Sequence, residues 1–296
     1  MAAEPLLEYQ EVFTELLGFV AAFCAAGSIG LRYAVLRRLP KPGAPDTEEA
    51  LVLAGIARRS AWLGFGGLFG AALLLALRLP AFAARRHTTI GALIGSEPQL
   101  MLQVGALALG LLGFLLAANR RGYGWPLAAL AVLALPLRGL VTGQLLRLVN
   151  PVHMLAGGLW IGTLAQLVGL GIAGVRGSRL PAGRKGALVA EMVRGFSPLA
   201  LGAFGLLAVL GVVTAWRHLK HLEALWTTPY GYALLAKLAV VACVIGLGAY
   251  NWKRLTPALG TDAASAALVR SARRELILAG VVLVLTAVLV SLPSPK

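Results

Sequence analysis

Residues 148–175 run from Leu148 to Val175 without a charged side chain, between Arg147 and Arg176. About 20 apolar residues suffice to cross a bilayer as a helix, and this run is longer. Asn150 is placed to cap the helix, and Pro151 fits the first turn, where its missing N–H is not needed. His153 then falls in the first turn, at the positive end of the helix dipole. That position favours neutral imidazole and leaves a lone pair available to a metal. Gly157 and Trp160 follow on the His153 face, while Gly158 and Gly162 form a small-xxx-small patch predicted to lie against neighbouring helices.

The rest of the chain repeats the pattern. Hydrophobic residues make up 58% of the 296 and charged residues 13%, a composition that places the chain among polytopic membrane proteins. Eight spans are expected, over residues 12–36, 60–79, 98–118, 124–146, 150–175, 196–216, 229–252 and 276–292. The seventh is accepted although Lys237 interrupts it. The fold class is therefore all-α, a bundle of eight transmembrane helices. A weak echo between the third and seventh spans, Pro98 to Asn119 and Pro229 to Asn251, divides it into two four-helix halves, 1–147 and 148–296.

A net charge of +15 could point to nucleic acid, but the basic residues sit in short loops and report topology instead. Arg37, Arg38, Lys41, Arg58 and Arg59 mark the first loop as cytoplasmic. Arg120 and Arg121 mark the third, Arg176 to Arg194 the fifth, and Lys253 to Arg274 the seventh. Both termini should face outward. All four histidines (His87, His153, His218 and His221) then share the outer face. Glu4, Glu8, Glu11 and Glu15 argue against a cleavable signal peptide. Cys24 and Cys243 read as small core residues.

Several side chains stand out against this background. If the segment after the sixth span is helical, His218 and His221 are i,i+3 neighbours able to share an ion; otherwise it is an interfacial segment anchored by Trp216 and Trp226. Arg138 and Lys237 each lie about eight residues in from the outer end of their spans, roughly 12 Å deep. Cations at that depth take a partner or line a pathway, or else snorkel outward. Glu223 and Glu97 are candidate acceptors for Lys237. Pro136 should distort the fourth helix just before Arg138. In the first loop, Pro40, Pro42 and Pro45 read as a linker, and 46–49 as the capped start of a helix. Glu275 beside Arg273 and Arg274 reads as a boundary ion pair.

The second half resembles the copper resistance D (CopD) family of bacterial membrane proteins. The residues that carry the likeness are His153 with Leu159-Trp160-Ile161-Gly162, then Arg194-Gly195-Phe196-Ser197-Pro198-Leu199-Ala200 and Thr214. Next come Thr228-Pro229-Tyr230-Gly231-Tyr232-Ala233-Leu234-Leu235-Ala236-Lys237, Asn251 before Pro257, and Glu275. The resemblance implies copper handling, usually uptake from the periplasm through the bacterial inner membrane, and carries over His153 and Lys237. It also implies a separate soluble copper donor as partner, alongside the lipid bilayer.

Copper ion transport is therefore the leading expectation, with His153, Met154, His218 and His221 as the metal-binding set. Neutral imidazoles and a thioether suit copper better than they suit hard cations. Arg138, Lys237 and Trp160 complete the candidate site. The two cations would repel a passing cation, which leaves a haem-binding or quinone-linked redox protein as the alternative, with Arg and Lys pairing the propionates. No nucleophile–base pair is visible, so no enzymatic activity is expected.

Overall fold

The computed structural model describes residues 9–39, 47–143, 145–219, 221–255 and 262–293. Among them there are no strands, and eight helices are long and apolar enough to cross a membrane. These are Tyr9–Arg38, Glu48–Arg85, Pro98–Ala118, Gly124–Val141, Leu145–Arg176, Ala182–Leu219, Pro229–Arg254 and Ala267–Ser291, named below as the first to eighth spans. The protein is a multi-pass membrane protein. An even number of crossings brings Tyr9 and Ser291 to one end of the bundle, the end that also holds His153.

Several boundaries differ from those expected. The second and sixth helices are each 38 residues long, so Arg58 and Arg59 lie on a helix rather than in a loop. Thr47 caps the second helix as anticipated, its hydroxyl accepting from the Ala50 amide at 3.3 Å. The extensions are held by ionic contacts at the end opposite His153. There Arg184 of the sixth helix donates to Glu49 of the second and to Glu191 of its own helix. The three linker prolines and Asp46 lie outside the described residues. The fourth span ends at Val141 instead of Leu146: the α-helix stops at Leu137, just after Pro136, and a 3₁₀ turn, Arg138–Thr142, follows. Arg138 is thus within a turn of the helix end, not buried deep in the span.

The first span contributes to two separate cores. On one side Ala25, Ala26 and Ile29 enter a core with Leu68, Phe114, Trp125 and Ala128 of the second, third and fourth spans. On the other, Leu31 and Val35 enter a core with Leu164, Leu167, Leu188, Met192 and Val269 of the fifth, sixth and eighth. The fifth span is the most enclosed of all, and the sixth and seventh are the least.

The first and fifth spans approach closely at Gly27 and Gly162. A Cβ on Gly27 would run into the Gly162 backbone, and one on Gly162 would meet the Phe23 carbonyl. Gly158 likewise lies against Phe23 and Ala26, so the expected small-residue patch does face a neighbouring helix. It falls in a π-helical turn, Gly158–Gly162, which widens the helix locally.

Beside that approach lies a buried polar knot that the residue pattern did not flag. Ser60 donates to the Gln166 side-chain oxygen at 2.6 Å, and Ser28 donates to the Ser60 carbonyl at 2.7 Å. Gln166 Nε2 donates to the Cys24 carbonyl at 2.9 Å and to the Ser28 hydroxyl at 3.1 Å. Ser28, Ser60 and Gln166 are all buried. Cys24 is half-buried beside this knot, whereas Cys243 is exposed rather than a core residue.

Candidate functional site

The fifth and sixth spans pack antiparallel in a register fixed by four contacts. The Trp160 ring lies edge to face with Phe204, their centroids 6.0 Å apart. His153 faces Gly211, where an added Cβ would lie 3.5 Å from the imidazole Cε1. The Thr214 hydroxyl donates to the Asn150 side-chain oxygen at 3.1 Å. Arg217 donates to the Leu146 carbonyl at 2.8 Å. Asn150 is therefore spent on the sixth span and does not cap the fifth. The helix begins one residue earlier, at Val149, directly after a 3₁₀ turn, and Leu148 makes no side-chain cap.

This register sets two tiers. In the outer tier His218 stacks on Tyr230 of the seventh span, with centroids 5.9 Å apart and planes 11° from parallel. Its Nδ1 lies 2.8 Å from the Thr214 carbonyl, so that nitrogen carries the proton and Nε2 keeps the lone pair. In the inner tier His153 stands opposite Gly211, two helical turns from His218, or roughly 10 Å along the axis. Lys237 is two turns inward from Tyr230 on the seventh span and lies within electrostatic reach of His153. The side chains expected to gather at one ion are thus distributed over two levels.

The remaining candidates fall around these tiers. The sixth helix stops at Leu219, so His221 sits exposed in a turn and does not share a helical face with His218. Lys220, between them, lies outside the described residues. Met154 is adjacent in sequence to His153, and consecutive helical positions point about 100° apart, so the two do not share a face. His87 is exposed in a left-handed conformation, φ 50°. Arg138 lines a cavity of about 320 Å³ beside Asn150.

The Nδ1 of His153 is buried and has no hydrogen-bond partner among the described residues, a state it shares with Glu191 Oε2 near the opposite end. Lys237 also makes no hydrogen bond or ion pair among the described residues. Neither Glu223 nor Glu97 reaches it, and Glu97 lies 3.4 Å from Arg86 instead. Among the described residues no cluster of three or more His, Cys, Asp or Glu side chains could hold a metal.

At the opposite end the structure corrects the reading of Glu275. It is buried and accepts a hydrogen bond from Asn251 at 3.1 Å, whereas Arg273 and Arg274 are exposed. Neighbours one and two positions apart on a helix do not face each other, so no boundary ion pair forms.

Many of the positions that carried the family resemblance therefore make contacts with one another or with the first span. Asn251 meets Glu275, Gly195 lies against Ala34 and Val35, and Trp160 packs within the same core as Leu199 and Ala200. Residues 190–289 match the family model for copper resistance protein D, CopD. The matched region takes in most of the sixth span, the seventh and most of the eighth, with His218, His221, Lys237 and Glu275; His153 precedes it. A stretch of 148 residues, 50% of this chain, is 30% identical to the copper transport protein CutJ of Bacillus subtilis. The stretch covers 25% of that relative, so the chain matches about a quarter of its length. No solved structure matches the chain.

Proposed function

We propose that this chain transports copper across a bacterial inner membrane, passing the ion along the groove between the fifth, sixth and seventh spans. His153 is its principal ligand. The observation that carries the reading is the buried, unpartnered Nδ1 of His153, since an imidazole nitrogen held open inside a bundle is a soft-metal donor awaiting its ion. His218 forms an earlier station two turns outward. Its Nδ1–H on the Thr214 carbonyl orients the ring as an outer hydrogen bond orients a ligating histidine, leaving Nε2 for the metal. Successive weak sites suit a conducting path better than one tight cage.

Lys237 then acts as an electrostatic filter. Repulsion scales with the charge of the ion, so a cation beside His153 opposes a divalent ion twice as strongly as monovalent copper. With both termini outward, His218 faces the periplasm and receives copper from a soluble donor, which makes the direction uptake. The copper-named matches support this reading over haem. The tiers also place no two imidazoles opposite one another around a single iron.

Anaerobic titration of the purified protein with Cu(I) tests the two stations. The native protein should bind copper with a stronger and a weaker class of site. His153→Ala should remove the stronger and His218→Ala the weaker. Copper binding unchanged by both substitutions, or a Soret band in the isolated protein, would overturn the reading.

A further inference from the structure

The cavity beside Arg138 is lined by three arginines, Arg138, Arg147 and Arg217, from three separate segments of the chain. Gln99 and Asn150 also line it. Arg217 spends one N–H on the Leu146 carbonyl and keeps the others, and Arg138 and Arg147 make no hydrogen bond among the described residues. Among the described residues none of the three pairs with a carboxylate; the ion pairs found there at this end are Arg86 with Glu97 and Arg78 with Glu15. Three like charges around one space repel each other, and an anion seated among them would relieve that repulsion.

The chemistry of the lining narrows that anion. Arginine forks match oxyanions, and three arginines lining one cavity with Gln99 and Asn150 offer more donors than the two oxygens of one carboxylate can use. A phosphate group accepts from all of them. The surroundings point to its carrier. Leu137, Leu140 and Val141 at the end of the fourth span and Leu145 at the start of the fifth, on the segments that supply Arg138 and Arg147, are all exposed. Acyl chains would lie against these side chains once the phosphate is seated.

We propose that this cavity is a phosphate-oxyanion site occupied by the headgroup of an anionic phospholipid. It sits one turn outward from His153 on the fifth span and does not depend on what passes that histidine. The seated lipid ties the 3₁₀ segment after Pro136 to the fifth and sixth spans at the mouth of the groove.

Native mass spectrometry of the detergent-purified chain tests this with phosphatidylglycerol, phosphatidylcholine and inorganic phosphate added separately. Phosphatidylglycerol should bind in one saturable site and phosphatidylcholine at least about tenfold more weakly. Arg147→Gln should weaken phosphatidylglycerol about tenfold, and Arg138→Gln with Arg147→Gln should weaken it further. Arg85→Gln, an exposed charge at the same end but outside the cavity, should leave binding intact. Melting temperature with and without lipid checks that the variants remain folded. Saturable phosphate binding lost in the same variants, with no preference for phosphatidylglycerol, would keep the oxyanion site and overturn its lipid occupant. Equal retention of both lipids, unchanged in the double variant and with no phosphate binding, would overturn the site itself.

Discussion

Two of the polar regions inside this bundle are treated differently. In the knot of Ser28, Ser60 and Gln166, each side chain is hydrogen-bonded to another member or to a backbone carbonyl. In the inner tier, among the described residues, His153 keeps a buried nitrogen without a partner and Lys237 keeps an ammonium without an acceptor. Both regions pay the cost of removing polar atoms from water, but only the first recovers it within the fold. Closed polar groups hold helices together, whereas open ones are available for something that arrives from outside. The difference separates architecture from transport, and it predicts that substitutions in the two regions affect different properties.

The largest structural effect should come from the helix contact that supports the closed region. Gly162→Leu would drive a side chain into the Phe23 carbonyl and the Gly27 Cα, which lies only 3.1 Å from an added Cβ. It should cost about 3 kcal/mol, read as a fall in melting temperature in detergent and in the yield of folded protein. An unchanged melt would mean that the first and fifth spans do not pack as described.

Next in size is Gln166→Leu, which removes the acceptor of Ser60 and the donor to Cys24 and Ser28. A loss of about 2 kcal/mol is expected, with copper transport per folded molecule unchanged. A selective loss of transport would place the knot in the pathway and erase the contrast.

Lys237→Met should move stability the other way, or very little, because an unpaired cation is replaced by an apolar side chain of similar length. Its effect should appear in selectivity, as uptake of divalent zinc rises relative to copper in a competition assay. A large fall in melting temperature would show instead that Lys237 is a structural member of the bundle.

Much of this molecule was legible from hydropathy, and the exceptions have physical causes. The eight spans follow from long apolar runs, and the seventh survives Lys237 because the run continues on both sides. The pairing of helices was not legible, since helices that are apolar all round carry no stripe to mark the partner face. The two tiers depend on that pairing: Asn150 opposite Thr214 and His153 opposite Gly211 fix a register that no local pattern encodes. For the same reason His153, Met154, His218 and His221 read as one cluster at one membrane face but lie at different depths and angles. Gln166 did carry a signal, as the one amide of the long uncharged run beyond Asn150, and polar residues in such runs commonly meet partners on other helices. Asn251 and Glu275 were both noticed, yet their contact depends on how the seventh and eighth spans pack.

Copper flux through His153→Ala measures the central claim most directly. The native chain and the variant would be reconstituted into liposomes and followed with an entrapped Cu(I) indicator, using His87→Ala as the exposed-histidine control. His153→Ala should lose at least about tenfold in initial copper flux while matching the native melting temperature, and His87→Ala should behave as native. Native flux through a folded His153→Ala protein would contradict the account, because the open nitrogen would then serve no passing ion.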